Sequence, residues 1–357
     1  MTKKIFFILK DYKKNQLGAE KAQYYISQYF IKYTNWSVII YCKSIEKKEK
    51  INLEQYNNIK LIIKNNFYSK LLFCLYNEKP DYFFSWRWEY NLLAALVCKV
   101  RKIKNICFIH SFLLEEIEIS HPDISVLKMF LYKSFCKVTL LKFIDRIFVP
   151  SHSLRDYLIK DISNELKDKI TIQYNGIENN ETYKKDLNMI DKQNVLYLGG
   201  FQKRKGIFNL LKIAKQNSNI NFYVYGILNT EYKERILSFI KNENLKNIKI
   251  KGFSSNIENV YKKFNIMIFP SELDSFPFSI IESMKYGLII ISTIVGELKY
   301  ILKNNYNSII FDGETFNFSK LNDYNLKKIA QNTQKDFLKK FTLRVYKNIL
   351  NELVNLT

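Results

Sequence analysis

Short apolar runs alternate with helix-length amphipathic segments along almost the whole chain. In the first half, Ile5–Leu9, Val38–Tyr41, Ile59–Ile63, Tyr82–Ser85, Ile106–Ile109 and Ile147–Val149 read as strands. Gly18–Tyr33 and Tyr90–Lys102 between them read as helices. The second half repeats the rhythm with Val195–Leu198, Asn221–Tyr225, Ile248–Ile250, Ile266–Phe269, Leu288–Ser292 and Ser308–Phe311. Strand–helix alternation predicts parallel sheets flanked by helices. Two such sets in 357 residues predict an α/β protein of two doubly wound, Rossmann-like domains facing a central cleft, with ligands at the carboxyl ends of strands. Asn175-Gly176 is a turn signal and the polar stretch after it lacks periodicity, which places the boundary near 176–192. The expected domains are 1–178 and 179–335. A helix-like segment from Gln334 to Leu353 closes the chain.

Composition narrows the class. No run of about 18 uncharged apolar residues exists, so no membrane-spanning helix is expected. The apolar run after Lys3-Lys4 is too short for a signal-peptide core and reads as a first strand. Cys42, Cys74, Cys98, Cys107 and Cys136 are scattered, with no Cys-x-x-Cys pair and no His at ligand spacing. Free thiols in a reducing cytoplasm are expected, without a disulfide scaffold or a metal site. The formal net charge is +22. The excess is spread over both halves and accompanies no recognisable nucleic-acid module, so no nucleic-acid partner is expected. Such charge fits an anionic membrane leaflet or anionic substrates, and equally a sequence rich in Lys, Asn, Ile, Tyr and Phe. Val126–Ile144 mixes apolar residues with Lys128, Lys133, Lys137 and Lys142. At 100° per residue these lysines do not share one face, so a packed helix with snorkelling lysines is the preferred reading over a membrane-surface helix. Basic, aromatic Lys64–Lys79 is a second candidate for a membrane surface.

Three places carry candidate chemistry. The run Ile266–Phe269 stops at Pro270. A loop with Glu272, Asp274 and Ser275 follows, and Pro277 opens a helical pattern that ends at Gly287. Glu282 lies in that helix, between Ile280-Ile281 and Met284. A carboxylate there is more readily explained by a hydroxyl-rich ligand than by packing, although loop acids often cap helices and helical Glu is usually solvated. Free N–H groups at the helix start would attract phosphate. The second place is Val195 to Gly206: a strand, the pair Gly199-Gly200, the basic run Lys203-Arg204-Lys205, then a helix. Glycines admit a ligand close to the backbone, and the cations can neutralise a diphosphate. The third place is His110, directly after a strand, where ligand groups gather in α/β sheets. A histidine hydrogen-bonded at a loop start is the plainer alternative. Gly18 opens the helix after the first strand, and Glu20 can complement its macrodipole. His121-Pro122 reads as a turn, and Ser151-His-Ser153 as a helix cap.

The stretch from Phe269 to Gly287 resembles the retaining glycosyltransferases of family 4, which have the GT-B fold. Their signature is two Glu residues separated by seven, with Phe-Gly or Phe-Pro after the first. Here Asp274 replaces the first Glu, Glu282 matches the second, and Phe276-Pro277 follows. Glu282-Ser-Met-Lys-Tyr-Gly287 and Ser292-Thr-Ile-Val-Gly296 continue the likeness. Lys205-Gly206 matches the family's Lys-Gly, whereas Gly200 stands at its usual Arg, so Arg204 or Lys203 is left to supply that charge. Gln16-Leu-Gly-Ala-Glu20 is similar to the family's Gly-Gly-Ala-Glu, with Leu17 for the first glycine.

The resemblance implies an enzyme of class EC 2.4. It would move a sugar from a nucleotide-diphosphate sugar, UDP-linked by preference, to a hydroxyl of a growing surface glycan or lipid-linked glycan, with retention and without a metal or other cofactor. The first domain would bind acceptor and the second the donor, with residues 336–357 returning to the first. Lys205 and a neighbouring cation would stabilise the leaving diphosphate. Glu282 would hold the ribose and Asp274 the sugar hydroxyls, and His110 would position the sugar. Gly18, Gly200, Arg204, Ser275, Phe276, Pro277 and Phe278 would line the substrate. The expected location is cytoplasmic, peripheral to the inner face of the plasma membrane. A GT-B epimerase or phosphorylase is the nearest rival, and a non-catalytic protein binding nucleic acid or anionic lipid is the rival of another class.

Overall fold

The computed structural model describes residues 2–14, 18–112, 125–179, 183, 185–228 and 230–356. Two compact units result. One comprises Met1–Gly176 with Leu343–Thr357, the other Ile177–Thr342.

The first unit is built on a seven-stranded sheet ordered β3-β2-β1-β4-β5-β6-β7 among the described residues. Its strands are β1 (Lys4–Tyr12), β2 (Ser37–Ile45), β3 (Ile59–Ile63), β4 (Tyr82–Ser85), β5 (Lys104–Phe108), β6 (Arg146–Val149) and β7 (Ile170–Ile172). The second unit carries β8 (Asn194–Leu198), β9 (Asn221–Tyr225), β10 (Ile248–Gly252), β11 (Ile266–Phe269), β12 (Ile289–Ser292) and β13 (Ile309–Ile310), ordered β10-β9-β8-β11-β12-β13. The paired neighbours run parallel in both sheets. This is the doubly wound α/β architecture expected from the alternation. The central strands are mostly apolar because helices cover both faces: every residue of β11 and β12 is buried. The sequence reading missed β7, whose three residues are too few to show a period. It forms because Ile170 pairs beside Ile147 at the sheet edge.

Both ends of the second unit differ from expectation. The division falls at Gly176/Ile177 rather than after 178, at the Asn175-Gly176 turn itself. The expected continuous helix from Gln334 to Leu353 is broken, and a start of the returning segment at 336 would cut a helix. Leu326–Lys340 is one helix, kept in the second unit by buried Ile329, Ala330, Thr333 and Phe337. It stops where Phe341 turns inward onto Phe276. The chain rejoins the first unit at Leu343, through a 3₁₀ turn and the helix Lys347–Asn355. Two tyrosines fasten it there. The Tyr346 hydroxyl accepts from the Gly176 N–H (2.8 Å) and donates to the Gly176 carbonyl (3.0 Å). The Tyr82 hydroxyl donates to the Leu353 carbonyl at 2.8 Å.

The helix Val126–Lys142 also departs from expectation. It buries only Cys136, Thr139 and Leu140 fully, and several of its large apolar side chains are exposed rather than packed. Burial pushes the thiols of Cys42, Cys98 and Cys136 up to about 12, so these cysteines are core residues rather than nucleophiles. Among the described residues, no helix is long and apolar enough to cross a membrane.

Candidate functional site

In the second unit the direction of strand succession reverses between neighbours β8 and β11. That switch point is where an open α/β sheet leaves room for a ligand beyond its carboxyl edge. Both candidate motifs of this unit leave the sheet there. After β8 the chain passes Gly199-Gly200 into a 3₁₀ turn, Lys203–Lys205, and then the helix Ile207–Gln216. After β11, Pro270 ends the strand, and the loop leads to Pro277 and the helix Phe278–Lys285.

Main-chain bonds and close glycine contacts join these loops. The Arg204 carbonyl accepts from the N–H groups of Glu272 (2.9 Å) and Leu273 (3.1 Å), and from the Ser271 hydroxyl (2.9 Å). Gly206 has φ +72°, and a Cβ there would fall 1.8 Å from the Pro270 carbonyl oxygen. No other residue permits that approach. A third loop closes from the other side. Gly296 has φ +53° and would press a Cβ to 2.1 Å from the Asp274 carbonyl oxygen, while the Glu297 N–H donates to the Ser275 carbonyl (2.9 Å). The Tyr197 hydroxyl lies between the carbonyls of Gly200 (3.2 Å) and Lys205 (3.0 Å), which holds the basic turn against its strand.

These contacts bring the Lys205 ammonium onto the Asp274 carboxylate, in an ion pair with side chains only 19% and 11% exposed. Arg204 is half-buried and Lys203 exposed. Ser275, Phe276, Pro277 and Phe278 are buried. The ring of Phe276 packs on Phe341, so its side chain serves the core rather than a ligand. This segment can offer a substrate its main chain. Pro277 is the N-cap of the helix and makes no side-chain hydrogen bond there. Glu282, one turn into the helix, is 7% exposed, and its Oε2 accepts from the Tyr261 hydroxyl at 2.8 Å. Tyr261 is itself fully buried and stacks on Tyr286 (5.5 Å, 8°). The carboxylate thus has a packing partner that the sequence did not reveal. Tyr197 and Tyr261 are the supporting residues missed. Tyr197 sits inside the apolar run of β8, and Tyr261 follows Val260 in the short amphipathic helix Ile257–Lys263, where a tyrosine reads as core.

In the first unit, His110 follows β5 by two residues. Its ring stacks on Phe108 (4.7 Å, 21°). Burial pushes its pKa down to about 3, outweighing a hydrogen bond to Asn175 that acts the other way. The imidazole is therefore neutral at ordinary pH and can bond a hydroxyl without carrying charge. Gly18 begins the helix Gly18–Tyr33 at φ +50°. The Glu20 carboxyl in its first turn is pushed up by burial and then by Asp11. Gln16 and Leu17 of that motif, and His121, lie outside the described residues. Ser151 caps the helix His152–Tyr157 by accepting from the Leu154 N–H at 3.1 Å, as its sequence suggested.

Two parallel-sheet units with these strand orders define the GT-B fold of glycosyltransferases. The particular domains are identifiable. Residues 18–181 match the family model Glycosyltransferase Family 4, and residues 179–336 match Glycosyl transferases group 1. The chain is 26% identical over 194 residues to the glycosyltransferase MJ1178 of Methanocaldococcus jannaschii, covering 52% of this chain and 53% of the relative. It is 32% identical over 133 residues to the capsular polysaccharide biosynthesis glycosyltransferase CapH of Staphylococcus aureus, covering 35% and 36%. The matches thus span about half or less of these relatives' length. Among solved structures, Anabaena HepE in complex with UDP superposes with a TM-score of 0.76 at 13% identity, over 99% of this chain and all of that one. That likeness is one of fold.

Proposed function

We propose that the protein is a glycosyltransferase that moves a hexosyl group from a nucleotide-diphosphate sugar, UDP-linked by preference, to a hydroxyl of a surface glycan or lipid-linked glycan, with retention of anomeric configuration. One observation carries the reading: a cation and an acid, Lys205 and Asp274, are held together at the switch point by glycines that admit no side chain. The preference for UDP is supported by the bound UDP of HepE, and the acceptor class by the stated role of CapH.

The bond from the anomeric carbon to the β-phosphate oxygen breaks, and an acceptor hydroxyl oxygen bonds the same carbon from the same face. The hydroxyl proton passes to an oxygen of the departing diphosphate. Negative charge grows on that diphosphate, and Lys205, Arg204 and main-chain N–H groups near Pro277 offset it without an added metal. Asp274 accepts from donor-sugar hydroxyls and Glu282 from the ribose. In the first unit, His110 is a neutral group that can hydrogen-bond a sugar hydroxyl.

The test combines thermal unfolding in the presence of UDP, GDP, ADP and their sugar conjugates with product analysis from a labelled donor. Stabilisation by one nucleotide family is expected, with transfer only when an acceptor is added. An epimer formed without acceptor, or phosphate-dependent cleavage, would replace the reading with its rivals. Stabilisation by none of the nucleotides would end it.

A further inference from the structure

Three helices, Phe67–Glu78, Trp88–Arg101 and Val126–Lys142, lie side by side on one face of the first unit's sheet. Tyr68 packs near Tyr90 (6.0 Å) and the Arg101 guanidinium covers the Tyr76 ring (3.5 Å), joining the first pair. The Trp88 indole N–H donates to the Tyr132 hydroxyl at 3.0 Å, joining the second. Each helix buries one side against the strands: Leu71 and Leu75, then Ala94 and Cys98, then Cys136 and Leu140. On its opposite side each carries further large apolar residues open to solvent. Phe73 is 69% exposed, Leu96 73%, Val100 64%, Leu127 67%, Phe130 65% and Phe135 59%. Single exposed apolar residues are ordinary, but a stripe on each of three adjacent helices marks an interaction surface.

Charge selects the occupant. The helix Val126–Lys142 carries four lysines and no acidic residue. At about 100° per residue, Lys128 and Lys137 lie about 90° to either side of the stripe through Leu127, Leu131 and Val138. Exposed Lys70, Lys99 and Lys102 belong to the neighbouring helices and their ends. Cations flanking an apolar stripe match an anionic headgroup layer over acyl chains. They oppose a second copy of the same face, which would set lysine against lysine. We propose that this three-helix face docks the protein on an anionic lipid bilayer, with Leu127, Phe130 and Phe135 entering the acyl boundary and Lys128 and Lys137 meeting lipid phosphates. Binding by this face needs no nucleotide, so it stands or falls apart from the donor site.

Co-sedimentation of the whole protein with vesicles of phosphatidylcholine, alone or mixed with phosphatidylglycerol, tests this. Partition at least about 10-fold stronger onto the anionic vesicles is expected, weakening as salt is raised. Leu127→Ser/Phe130→Ser/Phe135→Ser should lose at least about 10-fold of that partition with an unchanged melting curve. Lys128→Glu/Lys137→Glu keeps the apolar stripe and should abolish the anionic preference, which holds the test should the serine variant fold poorly. No vesicle binding by the wild type, or binding that the charge reversal leaves intact, overturns the proposal. So does a dimer in light scattering that the serine variant splits.

Discussion

Glu282 is both a proposed ligand to the nucleoside and the acceptor of a buried hydrogen bond from Tyr261. Glu282→Ala would therefore confound two losses. It would take from the buried Tyr261 hydroxyl its shorter acceptor, leaving the Ser279 carbonyl at 3.4 Å, at about 1–2 kcal/mol, as well as removing the ligand contact. A loss of activity in that variant would leave its cause open. Glu282→Gln separates the two. The amide oxygen can still accept from Tyr261, so unfolding should shift by less than about 1 kcal/mol. A carboxylate holding ribose hydroxyls makes charge-assisted bonds of about 1.5–3 kcal/mol, so the amide should weaken nucleotide binding by about 5-fold or more. Tyr261→Phe is the reciprocal control. It removes the packing bond, should destabilise by about 1–2 kcal/mol, and should change nucleotide affinity less than Glu282→Gln does. The assays are urea unfolding and titration with the nucleotide that stabilises best. If Glu282→Gln binds and turns over as the wild type does, Glu282 is a core acid serving Tyr261, and its ligand role is wrong.

Gly206→Ala should destabilise by at least about 1–2 kcal/mol from the left-handed backbone alone, and more because its Cβ would overlap the Pro270 carbonyl oxygen. Urea unfolding measures this, and an unchanged midpoint would show that the loop contact is not tight. His110 has a folded pKa near 3 against an ordinary 6.5. The unfolded chain therefore binds its proton first, and stability falls as pH drops below 6.5 towards 3, by about 1.4 kcal/mol per unit. Between pH 7 and pH 5, His110→Asn should lose about 2 kcal/mol less stability than the wild type, and equal losses would show that the imidazole is not withdrawn from water. Asp274→Asn removes the acid that positions Lys205, so UDP should bind more weakly than to the wild type and sugar transfer should slow; UDP binding as tight as in the wild type would show that the acid does not organise the lysine.

The fold was readable because a buried parallel strand announces itself as a bare apolar run. Ile266–Phe269 appears with the same bounds in sequence and structure, as does Tyr82–Ser85. The helix after Pro277 was readable from its Pro and Gly punctuation. What escaped were features that depend on the partner. β7 is a three-residue edge strand specified by its register beside β6 rather than by a pattern of its own. The break at Phe341 follows from a ring turning into a distant loop, which local periodicity does not encode. The exposed apolar side of the Val126–Lys142 helix escaped because lysine positions around a helix show where charges lie, not which apolar side chains find neighbours. The site motifs were visible as residue types at a spacing. Their mutual contacts, Lys205 on Asp274 and Tyr261 on Glu282, join positions far apart in the chain and needed the fold.

The Lys205–Asp274 pair also gives meaning to the two departures from the family pattern. With glycine at 200, the loop after β8 keeps its cations in the turn Lys203–Lys205, whose carbonyls are fastened to Tyr197 and to the loop after β11. A flexible lysine in such a turn would spread over many rotamers, and ordering it on a ligand would consume binding energy. Asp274 fixes it in advance. Because the pair is largely withdrawn from water, its attraction exceeds that of a surface ion pair. On the proposed function, an arriving diphosphate would meet a positioned ammonium and exchange one anionic partner for another, leaving the carboxylate to accept from sugar hydroxyls. On this reasoning the acid at 274 acts twice in sequence, first as the lysine's keeper and then as the sugar's acceptor. The glycines at 206 and 296 are what keep its loop close enough to do both.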